Sequence, residues 1–153
     1  HGSMMTPQSE ASVPAALAGL KVLVVDDDFR NIFAVTALLE RGHVEVISAE
    51  SGEEAIAVLQ RRPDIGMVLV DIMMPVMDGY ETVRQMRKLP WEGSLAIIAL
   101  TAKTGSGERE RCIAAGASAY ISKPVENGSR FLADLAEFVA VVAPAKPAPN
   151  VLN

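Results

Sequence analysis

Four short apolar runs in this sequence end on residues that could do chemistry. "KVLVV" runs into Asp26, Asp27 and Asp28; "MVLVD" ends on Asp71; "AIIALT" ends on Thr101; "AYISKP" ends on Lys123 and Pro124. If these ends meet, three carboxylates, a hydroxyl and an ammonium share one site. Two like charges about 4 Å apart repel by roughly 4 kcal/mol at an effective dielectric near 20, so Asp26, Asp27 and Asp71 need counter-charge to stay ionised together. Lys123 supplies one positive charge, and a divalent cation would supply the rest. A ligand set of oxygens without His or Cys suits Mg²⁺ or Mn²⁺. Mg²⁺ takes one or two carboxylates and keeps room for phosphate oxygens. The chemistry implied is nucleophilic: Asp71 attacks phosphorus and becomes an acyl phosphate, Lys123 and the cation neutralise the equatorial oxygens, and the Thr101 hydroxyl donates to one of them. Tyr120, on the run next to Thr101, is placed to carry a movement of Thr101 to the surface.

That convergence needs a scaffold, and the rest of the sequence describes one. The 153 residues suffice for one domain with a full core, half are apolar and only 5% are aromatic. Runs of strand length at residues 21–25, 44–49, 67–71, 96–101 and 119–124 alternate with helical patterns at 29–41, 51–62, 79–88, 107–116 and 129–142. Ile32, Val35, Leu38 and Leu39 recur at helical spacing, and Phe131, Leu132, Leu135, Phe138, Val139 and Val142 share a face of the last helix. Ser51 followed by Glu54 is a capping box, Gly42 and Gly116 are stops, and Asp28 is a cap for the first helix. Five strands alternating with five helices predict an α/β fold, a doubly wound five-stranded parallel sheet in the order 2-1-3-4-5. Ligands of such sheets bind outside the carboxyl ends of the strands, where the four chemical termini lie. Residues 20–142 form the expected domain. Residues 1–19, which open on an expression remnant "HGSM", and the Ala/Pro-rich 143–153 read as flexible ends.

The quoted stretches "VLVVDDD", "DIMMPVMDGYE", "ALTA" and "ISKP" resemble, in order and spacing, the receiver domains of two-component signalling, and the likeness spans roughly residues 20 to 142. The resemblance implies a flavodoxin-like receiver fold. It implies Asp26 and Asp27 as the acidic pair with Asp27 a direct metal ligand, Asp71 as phosphoacceptor, and the main-chain carbonyl of Met73 as a further ligand. Thr101 and Tyr120 become the switch pair, Lys123 the phosphate-binding lysine, and Lys123-Pro124 a cis peptide. The finer texture of "VDDDFRNIFAV" and "GASAYISKPV" looks most like receivers attached to hybrid sensor histidine kinases. The partner implied is a histidine kinase or a histidine phosphotransfer domain. Met73 and Lys103 hold the positions that flank the attacking water; Met73 offers it no hydrogen bond, which predicts a phosphoryl group lasting minutes or longer.

Other readings sit beside this one. An aspartate-nucleophile phosphatase or hydrolase would want its nucleophile on the first strand and a substrate cap. A binding module that is never phosphorylated would have no need of the acid pair, Thr101 and Lys123 together. Met73, Met74 and Met77 read as packing, Cys112 as a small core residue, and Trp91 as a surface or partner contact. His43, just past a helix stop, is a poor phosphorelay histidine. A net charge of -5 argues against a nucleic-acid surface. One cysteine excludes an internal disulfide framework and suits a reducing cytoplasm. No run reaches the length of a membrane span. Gly105 and Gly107 predict a late start and a mobile position for the fourth helix, and with it an output face built from helix four, strand five and helix five.

Overall fold

A computed structural model describes residues 13–90, 95–102 and 105–142, without the side chains of residues 140–142. Trp91, Lys103, the Val142 side chain, residues 1–12 and the tail at 143–153 therefore lie outside the described residues. The strands are β1 (Lys21–Val25), β2 (Glu45–Ala49), β3 (Met67–Asp71), β4 (Ala96–Thr101) and β5 (Ala119–Ser122). The helices are α1 (Phe29–Arg41), α2 (Gly52–Arg61), α3 (Gly79–Lys88), α4 (Glu108–Ala115) and α5 (Gly128–Val142). All strand pairs are parallel, in the order β2-β1-β3-β4-β5.

Side chains alternate across the sheet with a period of two, and the two resulting faces are covered by different helices. Leu23, Val25, Val68, Val70 and Ile97 pack with Val58 and Leu59 of α2, Val83 and Met86 of α3, and Cys112 of α4. Val22, Val24, Leu69, Ile98 and Leu100 pack with Ile32 and Leu39 of α1 and Phe131, Leu132 and Leu135 of α5. β3 and β4 are buried at every residue, whereas the edge strands β2 and β5 are not, as expected of a parallel sheet with both faces covered. Val35, Leu38, Phe138 and Val139 are the half-buried margin of the α1–α5 layer.

The helix starts follow local chemistry. Asp28 accepts from the Arg30 N–H at 2.9 Å and Asp78 from the Glu81 N–H at 2.9 Å. Ser51 Oγ accepts from the Glu54 N–H at 3.1 Å, while Glu54 reaches back to the N–H of Glu50 at 2.8 Å rather than to that of Ser51. The fourth helix does start late, at Glu108, after Gly107 at φ +94° with no side-chain cap. β5 ends at Ser122, two residues before the expected limit, because Pro124 has no N–H to continue a ladder. One boundary needs correction. The segment 1–19 is not loose throughout: a 3₁₀ turn, Ala15–Leu17, inserts a fully buried Leu17 into the core on the α1–α5 side. A single apolar side chain in an Ala/Pro-rich context carries no periodicity, which is why sequence pattern missed it.

Candidate functional site

The register of the three central strands assembles the acids. Val25 lies opposite Val70, and Asp71 lies opposite Leu100, so Asp26, one residue past Val25, emerges beside Asp71. Asp26 and Asp71 expose only 3% and 4% of their surface, while Asp27 points into solvent. Carboxylate oxygens of Asp26, Asp27 and Asp71 all lie within 4.8 Å of one another. Two of the three are aimed by the same local device: Asp26 Oδ1 accepts the Asp28 N–H at 2.9 Å, and Asp71 Oδ1 accepts the Met73 N–H at 3.1 Å.

Lys123 reaches the pair from the end of β5. Its Nζ stands 3.5 Å from Asp26 Oδ2 and 3.5 Å from Asp71 Oδ1. Its own N–H donates to the Thr101 carbonyl at 2.8 Å, and the Lys123-Pro124 peptide is cis. Burial pushes the Asp26 carboxyl above the ordinary aspartate value of 3.8, and the Asp71 charge adds to the shift. The Asp28 N–H, Lys123 and Asn31 act against it. The cluster therefore lacks positive charge, with three acids facing one ammonium. The donor set, carboxylates closing on a shared point at the mouth of a sheet, fits a hard divalent cation.

Thr101 is fully buried at the end of β4, beside Ser122 in the β-ladder. Tyr120 pairs with Ala99 and packs half-buried against the core. The three methionines part company: Met74 is buried, Met77 lies against Gly52, and Met73 is 54% exposed. The packing role expected for Met73 is thus corrected, since its backbone is anchored at Asp71 while its side chain stands in solvent. Cys112 is in the core as expected.

Sequence pattern overlooked two features, Asn31 and the pair Phe29 and Phe33. Asn31, one turn into α1, lines a cavity of ≈ 170 Å³ with Asp26 and Lys123. Phe29 and Phe33 stand 68% and 70% exposed on α1; their spacing of four, off the Ile32–Leu39 face, was the available signal. Gly79 closes the acceptor loop: its N–H donates to the Ile72 carbonyl at 3.0 Å, and an added Cβ would lie 2.3 Å from Ile72 Cα.

A family model described as the response regulator receiver domain matches residues 22–134. The chain belongs to that family. It is a receiver domain, and relatives occur in two settings. The heme response regulator HssR of Staphylococcus haemolyticus is 35% identical over 107 residues, covering 70% of this chain and 46% of HssR. The signal transduction histidine-protein kinase BarA of Escherichia coli is also 35% identical over 107 residues, covering 70% of this chain and 12% of BarA. The chain thus spans less than half the length of these curated relatives. Among solved structures, the Mg²⁺ complex of the receiver domain of the histidine kinase CKI1 from Arabidopsis thaliana superposes with a TM-score of 0.65. It is 29% identical, and the match covers 79% of this chain and 94% of that one. Receiver domains act as switches in two-component signalling rather than as enzymes, and they bind Mg²⁺ at an acidic cluster of this kind. Among the described residues no helix is long and apolar enough to cross a membrane.

Proposed function

We propose that this receiver domain accepts a phosphoryl group on Asp71 from a protein phosphohistidine. An Asp71 carboxylate oxygen attacks phosphorus, the O–P bond forms as the P–N bond to the donor imidazole breaks, and the imidazole leaves neutral once its other nitrogen is protonated. Asp26, Asp27, Asp71 and the Met73 carbonyl would hold Mg²⁺ (or Mn²⁺), which when bound supplies the positive charge that the developing phosphoryl oxygens require. Lys123, already in contact with Asp71, neutralises a second oxygen. Thr101 donates its hydroxyl to a third, and Tyr120, one strand away, follows that movement. The observation that carries this reading is the convergence of three carboxylates and one lysine at the carboxyl ends of β1, β3 and β5.

The donor is a protein surface, either a histidine kinase or a histidine phosphotransfer domain. Among the described residues, four of the five large apolar side chains that stand exposed are Phe29, Phe33, Met73 and Val76. All four belong to the two segments that carry the acids, and apolar groups at the mouth of a site mark a protein contact. A cytoplasmic location and a hybrid-kinase parent fit the BarA likeness. The domain spans residues 14–142 in this reading.

Acetyl phosphate with Mg²⁺ tests the assignment. Intact mass should rise by one phosphoryl group, peptide mapping should place it on Asp71, and Asp71→Asn should abolish it. Modification at another side chain, or continuous turnover without a stable adduct, would overturn it.

A further inference from the structure

Tyr80 and Glu108 have no part in the acceptor chemistry, yet they make a buried polar contact between two helices. Tyr80 is the second residue of α3 and Glu108 the first of α4. The phenol hydroxyl donates to the Glu108 carboxylate and lies 2.8 Å from both of its oxygens. Tyr80 exposes 7% and Glu108 6% of their surface. Cys112 Sγ, one turn further along α4, is 3.6 Å from Glu108 Oε2, and the Arg111 guanidinium lies 4.6 Å from the Tyr80 ring centroid. Burial, and then the carboxylate beside it, push the Tyr80 phenol up to about 12, so it remains a donor.

The surroundings give this contact mechanical weight. The start of α4 has no cap of its own: its N-cap is Gly107 with no capping side chain, and the buried residues of the helix are Glu108, Cys112 and Ala115. A carboxylate is costly to bury without partners, and among the described residues no cation pairs with Glu108. At the other end, α3 is pressed onto the acceptor. A Cβ on Gly79 would stand 2.5 Å from the Asp71 carbonyl oxygen. Asp71, the start of α3, Tyr80, Glu108 and α4 therefore form one continuous series of close contacts.

We infer that the Tyr80–Glu108 hydrogen bond is the coupling through which the state of Asp71 sets the position of α4. This rests on the phosphoacceptor reading for its signal, and on geometry alone for the link. Hydrogen exchange of the full chain, with and without beryllium fluoride plus Mg²⁺, tests it. In the untreated protein, Tyr80→Phe speeds exchange across residues 108–115 by about tenfold, the equivalent of about 1.4 kcal/mol, while the slowest amides of β1 and β3 change less. Glu108→Gln keeps an acceptor for the phenol and retains most of the protection. In the wild type the fluoride changes exchange in 108–115; in Tyr80→Phe more than half of that change disappears. Should Tyr80→Phe fail to fold, the double variant Tyr80→Phe with Glu108→Leu removes both polar partners without stranding a charge, and the same loss of coupling is expected. Wild-type protection of α4 in these variants, an undiminished fluoride response, or no response of α4 in the wild type would each overturn the inference. Acetyl phosphate labelling of wild-type Asp71 is a separate readout, so failure of the acceptor reading shows itself independently.

Discussion

Replacing Gly79 by alanine tests how tightly the acceptor loop is built. The substitution should be mildly favourable on local grounds, since alanine exceeds glycine in helix propensity by about 0.5–1 kcal/mol. The tertiary setting reverses the sign. The new Cβ would meet Ile72 Cα at 2.3 Å, the Asp71 carbonyl oxygen at 2.5 Å and Ile72 Cδ1 at 2.8 Å. Two of these three atoms are backbone, so no rotamer relieves the contact, and α3 must retreat by about 1 Å to reach ordinary packing distance. Overpacking of this kind costs typically 1–3 kcal/mol, and the retreat also loosens the buried face of Tyr80, Val83 and Met86. A net loss of about 1–2 kcal/mol follows. Gly66 provides the control. Its added Cβ would meet only Leu20 Cδ1, at 2.9 Å, the end of a flexible side chain, so Gly66→Ala should stay within about 0.5 kcal/mol of wild type. Urea unfolding at constant m separates the two: the Gly79→Ala midpoint should fall by about 1 M, and the initial rate of Asp71 labelling by acetyl phosphate should fall with it under conditions where the variant is folded. If Gly79→Ala proves as stable as Gly66→Ala and labels at the wild-type rate, the account of the acceptor loop fails.

Four further outcomes are expected. Lys123→Met, which removes the ammonium 3.5 Å from both Asp26 and Asp71, should slow labelling by about tenfold or more. Calorimetry should find its Mg²⁺ binding undiminished, because a competing cation has gone; weaker Mg²⁺ binding with normal labelling would contradict this. Chelation of divalent cations should abolish labelling of the wild type, and Mg²⁺ or Mn²⁺, but not a monovalent salt, should restore it. Exposed Met73 orients no water, so the aspartyl phosphate should last minutes or longer in purified protein, and Met73→Asn should shorten its life; loss within seconds in the wild type would argue against it. The Tyr80 phenol should ionise at about 12 rather than at the ordinary 10.0. The folded chain then keeps a proton that the unfolded chain has lost, so stability is fully present below about 10 and falls as pH rises toward about 12. Phenolate absorbance reads this directly, and a transition near 10 that disappears in Tyr80→Phe would refute it.

Much of this protein was legible before any coordinates. Five β-branched runs alternating with amphipathic helical patterns leave few topologies once crossovers are right-handed, so the strand order and the convergence of Asp26, Asp27, Asp71 and Lys123 follow from pattern alone. Caps at Asp28 and Ser51 are equally local, because a side-chain oxygen two or three residues from a free N–H needs nothing distant to find it. Tertiary structure decided the rest. The burial of Leu17 depends on α5 packing against it, the pressure on Gly79 depends on where α3 comes to lie, and the Tyr80–Glu108 contact joins residues 28 apart in sequence. A sequence carries periodicity and local hydrogen-bonding preference along one dimension. Which side chains from two separately formed helices end within 3 Å of each other is set by packing across the sheet, and that has no repeat to read.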